Sequence, residues 1–295
     1  MVIYLGVIAK LKGFITKDFV TQANRLVYHV GIPAMIFSVI SKSDIKTQIN
    51  PKVILICLAT IFLAGLVAWL VAVTIKVKSR SKGSFIHVSF HGNLGYIAFA
   101  VTFYYLGDSG LTTAAILAGM IMILQNIMAV VVLTYYAKNQ ADKIGLEYFF
   151  KKTMANPVIL AALIGITFSN FSIHVPIYID RALDILKGMA LPTALLIIGA
   201  SLDFKRLKLR FMDVIITSVI KVVLAPAIGL FLFKFFSVSS PESILPGLIV
   251  IAAPSATVTY IMAGEMGGDP NFAAAAISIS TLLSSITYIF WLGLV

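Results

Sequence analysis

Charge is what this sequence has least of. Asp, Glu, Lys and Arg make up 12% of its 295 residues, and only 12 residues are acidic. Ordinary soluble domains carry about 25% charged and about 45–50% apolar residues. The only cysteine, Cys57, lies in an apolar run, so no intrachain disulfide can form and no thiolate metal site is suggested. There is no phosphate-binding G-x-x-x-x-G-K-S/T stretch, so ATP-driven transport has no support, and no H-E-x-x-H zinc motif. No Ser stands with a placed His and Asp as a triad. The chain is therefore not expected to be an enzyme or to hold a metal or cofactor. The opening MVIYLGVIA lacks a basic n-region and a cleavage site and is not read as a signal peptide. Short alternating strands between turns are missing too, which argues against a membrane barrel.

What is present is apolar. Hydrophobic residues make up 60% of the chain, and its mean hydropathy is +1.00. A soluble domain of this size has too little interior to hide that surface, whereas a bilayer hides it directly. The apolar runs are about 20 residues long, the length of a spanning helix. We read ten segments: 1–12, 20–40, 51–75, 84–106, 112–136, 152–171, 178–202, 211–236, 244–264 and 270–294. The first is short. Twelve residues rise about 18 Å against a hydrocarbon core of about 30 Å, so part of that helix is expected to be missing.

The net charge of +11 does not point to nucleic acid, because the basic residues sit in short loops between apolar runs. Lys10, Lys12 and Lys17 follow the first segment, and Lys76, Lys78, Arg80 and Lys82 follow the third. Lys138, Lys143, Lys151 and Lys152 follow the fifth, and Lys205, Arg206, Lys208 and Arg210 follow the seventh. These alternate loops are expected to face the cytoplasm, with both chain ends extracytoplasmic. Lys42, Lys46 and Lys52 after the second segment weaken the pattern without reversing it.

Segments two and seven resemble each other, with Pro33 and Pro192 in matching places. The same offset brings segment four near segment nine. Both are interrupted by Gly, Pro and small polar residues, HGNLGY at 91–96 and APSATVTY at 253–260. Five segments per unit is odd, so the second unit must be inverted. The expected fold is an all-α polytopic membrane protein. About ten transmembrane helices form two inverted five-helix repeats, with broken crossing helices four and nine. The first repeat is 1–137, the cytoplasmic connecting loop 138–151 and the second repeat 152–295. Paired broken helices in inverted repeats point to a secondary transporter site.

A break in a membrane helix frees N–H and C=O groups that must face protein or water. Half-helix N-termini carry partial positive charge and free donors, which suits an anion such as a carboxylate. The candidate substrate-binding residues are Asn93, Gly92, Gly95, Tyr96, Pro254, Ser255, Thr257 and Thr259. Asn93 is the first choice, since its amide offers donor and acceptor. Asn93 and the hydroxyls are equally suited to capping their own half-helices, and the two roles can coexist. Gly92 and Gly95 also permit the bend and close packing. Lys221, deep in segment eight, is either a functional cation or an ion-paired or snorkelling side chain. His91 could couple protons or serve as a hydrogen-bonded structural residue. Asp203 and Glu265, near cytoplasmic helix ends, are either coupling groups or solvated. Gln125 and Asn126 are expected to bond between helices.

At these residues the chain resembles the auxin efflux carrier family, within the bile acid/sodium symporter-like superfamily. Bacterial members are described as malate, malonate or other organic-acid permeases. HGNLGYIAFA followed by YYLGDSG resembles the family's Gly-Asn-x-Gly stretch. ANPVILAALIGI resembles its Asn-Pro opening of the second repeat, at Asn156 and Pro157. LPTALLIIGASL resembles its seventh helix. APSATVTYIMAGEMGGD and AAAAISISTLLSSIT resemble its ninth and tenth. The family often carries Gly-x-Pro just after the first motif, where this chain has Ala98, Phe99 and Ala100. The resemblance implies two inverted repeats, with helices four and nine in a transport domain that moves against a scaffold. It implies a secondary carrier of small organic anions, such as dicarboxylates or auxin-like carboxylates, working by alternating access in the plasma (inner) membrane. The resemblance does not fix the coupling ion; two acidic residues poised for Na⁺ are not evident near the breaks, so a proton-coupled or uncoupled carrier is expected, with a homodimer as the candidate assembly. The alternatives are a Na⁺-coupled symporter of the same superfamily and a non-transporting membrane sensor.

Overall fold

The computed structural model describes residues 1–44, 50–137, 155–202 and 211–295. Among these residues the chain is helical, with one isolated antiparallel bridge between Gly92 and Ser255 and no strand. The helices are α1 (Val2–Leu11), α2 (Lys17–Ser41), α3 (Pro51–Thr74), α4 (Ser79–Phe90), α5 (Leu94–Tyr136) and α6 (Pro157–Asn170). They continue with α7 (Ile177–Ser201), α8 (Phe211–Phe235), α9 (Pro241–Ala252), α10 (Val258–Glu265) and α11 (Pro270–Leu292). Six of them, α2, α3, α5, α7, α8 and α11, are long and apolar enough to cross a bilayer. The protein is thus a multi-pass α-helical membrane protein. The expected connecting loop 138–151, the basic residues named after segments five and seven, and Asp203 lie outside the described residues.

Local chemistry sets the helix starts. Asn50, Asn156 and Asp269 each precede a proline and accept a backbone N–H with the side chain, from Lys52 at 3.0 Å, Val158 at 2.9 Å and Phe272 at 3.1 Å. Proline at the first helical position loses an N–H that has no intrahelical partner anyway, and the capping oxygen satisfies another. Inside helices proline has the opposite effect, clashing with the carbonyl four residues back. A widened π turn precedes each of two such prolines, Val27–Gly31 before Pro33 in α2 and Ile220–Leu224 before Pro226 in α8. The widening makes room where the regular ladder fails.

The packing of α3 shows why bilayer lipid is needed. Its buried side includes Val53, Ile56, Thr60, Ala64, Ala68 and Ala72, at helical spacing. Its exposed side carries Leu55, Phe62, Leu66, Trp69 and Leu70, equally apolar. A helix that is hydrophobic all round needs an apolar partner on every side.

One helix boundary agrees with expectation and one differs. Segment four was expected to end at 106 and segment five to begin at 112. The stretch Leu94–Tyr136, labelled α5, is two helices joined at a kink, with Gly107 non-helical (φ 69°, ψ −161°), close to where the two segments were expected to part. Only glycine takes that conformation without steric cost. By contrast α4 begins at Ser79, not at 84, so Lys82 belongs to a helix rather than to the loop after segment three.

The chain forms two compact units, each assembled from three stretches. The first comprises Met1–Ile49, Gly95–Gly119 and Met154–Leu202. Here α1 lies along α7, and the second half of α2 packs on α6 and α7. Phe37 and Phe168 meet edge to face, with ring centroids 5.1 Å apart. Lys187 pairs with Asp108 at 2.6 Å and Lys42 with Asp180 at 2.5 Å. The second unit comprises Asn50–Leu94, Met120–Thr153 and Asp203–Val295. Here α3 packs on α4, α8 and α9, and α11 packs on α4, α8, α9 and α10. Phe85 stacks on Phe272 with centroids 6.0 Å apart. All but two of the candidate site residues described belong to this second unit.

Candidate functional site: two helix breaks paired back to back

In the second unit α4 ends at Phe90 and α9 ends at Ala252, both in the interior. The chain resumes as helix at Leu94 in one case and at Val258 in the other. Between those points the two breaks pair as a minimal antiparallel bridge. The Asn93 N–H donates to the Pro254 carbonyl at 2.7 Å, and the Ala256 N–H donates to the His91 carbonyl at 2.9 Å. Each break therefore supplies the other with backbone partners that its own helix cannot provide.

Side chains close the remaining helix ends. The Val88 carbonyl of α4 accepts from Ser255 Oγ at 2.7 Å, and the Phe90 carbonyl accepts from Gln125 Nε2 at 3.0 Å. The Ile249 carbonyl of α9 accepts from the Tyr288 hydroxyl at 2.9 Å, and the Ile251 carbonyl from Lys221 Nζ at 2.7 Å. The Ser255 N–H donates to Ser280 Oγ at 3.1 Å. Every one of these groups is buried, and an orphaned carbonyl there would cost as much as a lost hydrogen bond.

Asn93 sits at the centre of this arrangement. Its backbone is used in the bridge, the residue is 6% exposed, and its Nδ2 has no hydrogen-bond partner among the described residues. Space beside the neighbouring Gly92 is tight. A Cβ there would stand 3.3 Å from Leu94 Cδ2 and 3.4 Å from both Cε and Nζ of Lys221. Pro254 contributes its carbonyl. Thr259 is buried, its hydroxyl donating to the Ala256 carbonyl at 2.8 Å. Thr257 is half-buried and gives α10 no side-chain cap. His91 is buried, with its Nδ1 2.9 Å from Nε2 of His87 one helical turn earlier. Glu265 is exposed at the last residue of α10.

Gly95 and Tyr96 fall in the first unit, inside the opening π turn of α5 rather than in the break. The Tyr96 hydroxyl donates to Asn24 Oδ1 at 2.6 Å, and the space beside the Gly95 Cα is open. The structure thus groups Gly92, Asn93, Pro254, Ser255 and Thr259 with His91 and Lys221 in one unit. The sequence reading missed His87, Tyr288, Trp291 and Ser280. Two signals were available. His87 and His91 are four apart, on one helix face. Pro226 cannot offer an N–H to the carbonyl of Val222, and that carbonyl accepts from Trp291 Nε1 at 3.0 Å.

Comparison with known proteins points to membrane transport. A family described as membrane transport protein matches residues 143–292. An uncharacterized transporter of Methanocaldococcus jannaschii is 26% identical over 99% of this chain and 94% of its own length. An uncharacterized transporter of Methanothermobacter thermautotrophicus is 24% identical, with the same coverage of both chains. A protein of Rhizobium meliloti named "Putative malonate transporter" is 20% identical over 90% of this chain and 83% of its own. The chain belongs to the membrane transport protein family, that of the auxin efflux carriers, and is a membrane transporter.

Proposed function

We propose that this protein is a secondary carrier of small organic anions, with the paired breaks of the second unit as its substrate site. One observation carries the reading: the Asn93 amide donor is buried at the bridge between two half-helix ends and has no partner among the described residues. A buried donor left unmatched is costly, and an incoming carboxylate oxygen would match it. The opening turn of α10, uncapped by Thr257, adds partial positive charge of the kind that holds anions. The inverted repeats 1–137 and 152–295 and transport by alternating access belong to this proposal. So does the extracytoplasmic placement of both termini. The malonate named for the Rhizobium meliloti relative supports a dicarboxylate as first substrate to try.

The test is uptake of labelled malonate, other dicarboxylates and indole-3-acetate into proteoliposomes holding the full chain. Asn93→Ala should lower uptake about tenfold or more, the scale of one lost buried hydrogen bond to a charged group. Parent-like uptake by Asn93→Ala would remove the site assignment. Failure of the parent to move or bind any carboxylate would remove the substrate class.

A further inference from the structure

The two half-helix ends of the second unit are closed by unlike side chains. Gln125 closes α4 on the Phe90 carbonyl and Lys221 closes α9 on the Ile251 carbonyl. Closing a carbonyl takes a donor and no charge, as Gln125 demonstrates. Lys221 nevertheless brings an ionisable amine to a position that is 0% exposed. No described carboxylate lies within 4.0 Å of it. Its three N–H donors have one hydrogen-bond acceptor assigned, the Ile251 carbonyl. Burying an unpaired charge is among the costlier things a fold can do, and a helix C-terminus offsets only part of that cost. The amine also lies where a substrate would feel its charge. A Cβ built on Gly92, the residue next to Asn93 in the break, would stand 3.4 Å from Nζ.

We propose that Lys221 is the built-in counter-charge for a carboxylate bound at the Asn93 break, acting as a positioning residue from behind Gly92. This rests on the organic-anion reading above. In a low-dielectric interior a unit charge acts over several ångströms without contact. Empty, the site holds an uncompensated positive charge; loaded, it approaches neutrality. A cation held covalently does the work a co-bound metal cation would otherwise do and repels one from the same place. Substrate binding should therefore need no Na⁺. It should also select carboxylates over uncharged analogues of the same shape.

The experiment measures malonate affinity of the purified full chain by calorimetry, with melting temperature as a check on folding. Lys221→Gln keeps a donor for Ile251 and removes the charge. Lys221→Met, of similar length, removes both. Either neutral variant that folds should bind malonate about tenfold or more weakly than the parent. Parent affinity should be unchanged when choline replaces Na⁺ at constant pH. A role confined to closing α9 predicts instead that Lys221→Gln binds malonate like the parent, and that result would overturn the proposal. An affinity in the parent that collapses without Na⁺ overturns it as well, and needs no variant to fold. A parent that binds no carboxylate at all is distinguishable from both, because it sinks the organic-anion reading first and this inference with it.

Discussion

Ser255 Oγ donates to the Val88 carbonyl at 2.7 Å, although the two residues are 167 positions apart. The bond lets a hydroxyl of one helix break close the end of the other broken helix. Asn93 and Pro254 join the same two segments through the backbone. The breaks are thus complementary halves of one structure, and damage to either should be felt by both.

Replacing Ser255 by Ala should lower stability by about 1–3 kcal/mol, because it leaves a buried carbonyl without its donor. Thermal unfolding in detergent measures this. A melting temperature equal to the parent's would show that the bond contributes nothing.

Trp291 Nε1 serves the Val222 carbonyl in α8, where Pro226 provides no N–H. Trp291→Phe should cost about 2 kcal/mol through the lost bond and the gap left by the smaller ring. In a Pro226→Ala background, where residue 226 regains a donor, the cost should shrink. A double-mutant cycle on melting temperatures reads the coupling, and strict additivity would refute the explanation.

Cys57 is the only cysteine, and its side chain is fully buried between α3 and its neighbours in the second unit. A membrane-permeant maleimide should leave it unmodified in the folded protein and react as that unit opens on heating. Rapid labelling at low temperature would contradict the packing described for α3. The same silence makes the parent a clean background for single cysteines introduced to map the sidedness of the loops.

Much of the fold was legible because its determinants are local. Runs of apolar residues fixed the helices, and the starts expected at 51 and 270, each after a capping residue and at a proline, hold to the residue, whereas the segment expected from 152 begins as a helix at Pro157. The breaks were legible for the same reason, since Gly92, Asn93 and Pro254 weaken a helix wherever they stand. Tyr96 was placed in the break by its proximity in sequence, yet α5 has already resumed there and the hydroxyl turns to Asn24. Segments four and five were expected to part between 106 and 112, and the two helices meet at a kink on Gly107.

The sequence by itself determined that this protein lives in a membrane, that its helices are interrupted at two places, and that Lys221 lies deep among apolar residues. Composition and local backbone chemistry suffice for those conclusions. Only the tertiary structure decided which donor meets which orphaned carbonyl: Ser255 for Val88, Gln125 for Phe90, Tyr288 for Ile249 and Lys221 for Ile251. It also decided that Asn93 keeps a buried amide donor without a partner among the described residues. A hydrogen bond depends on a few tenths of an ångström between atoms on different helices, and no pattern along one chain carries that distance.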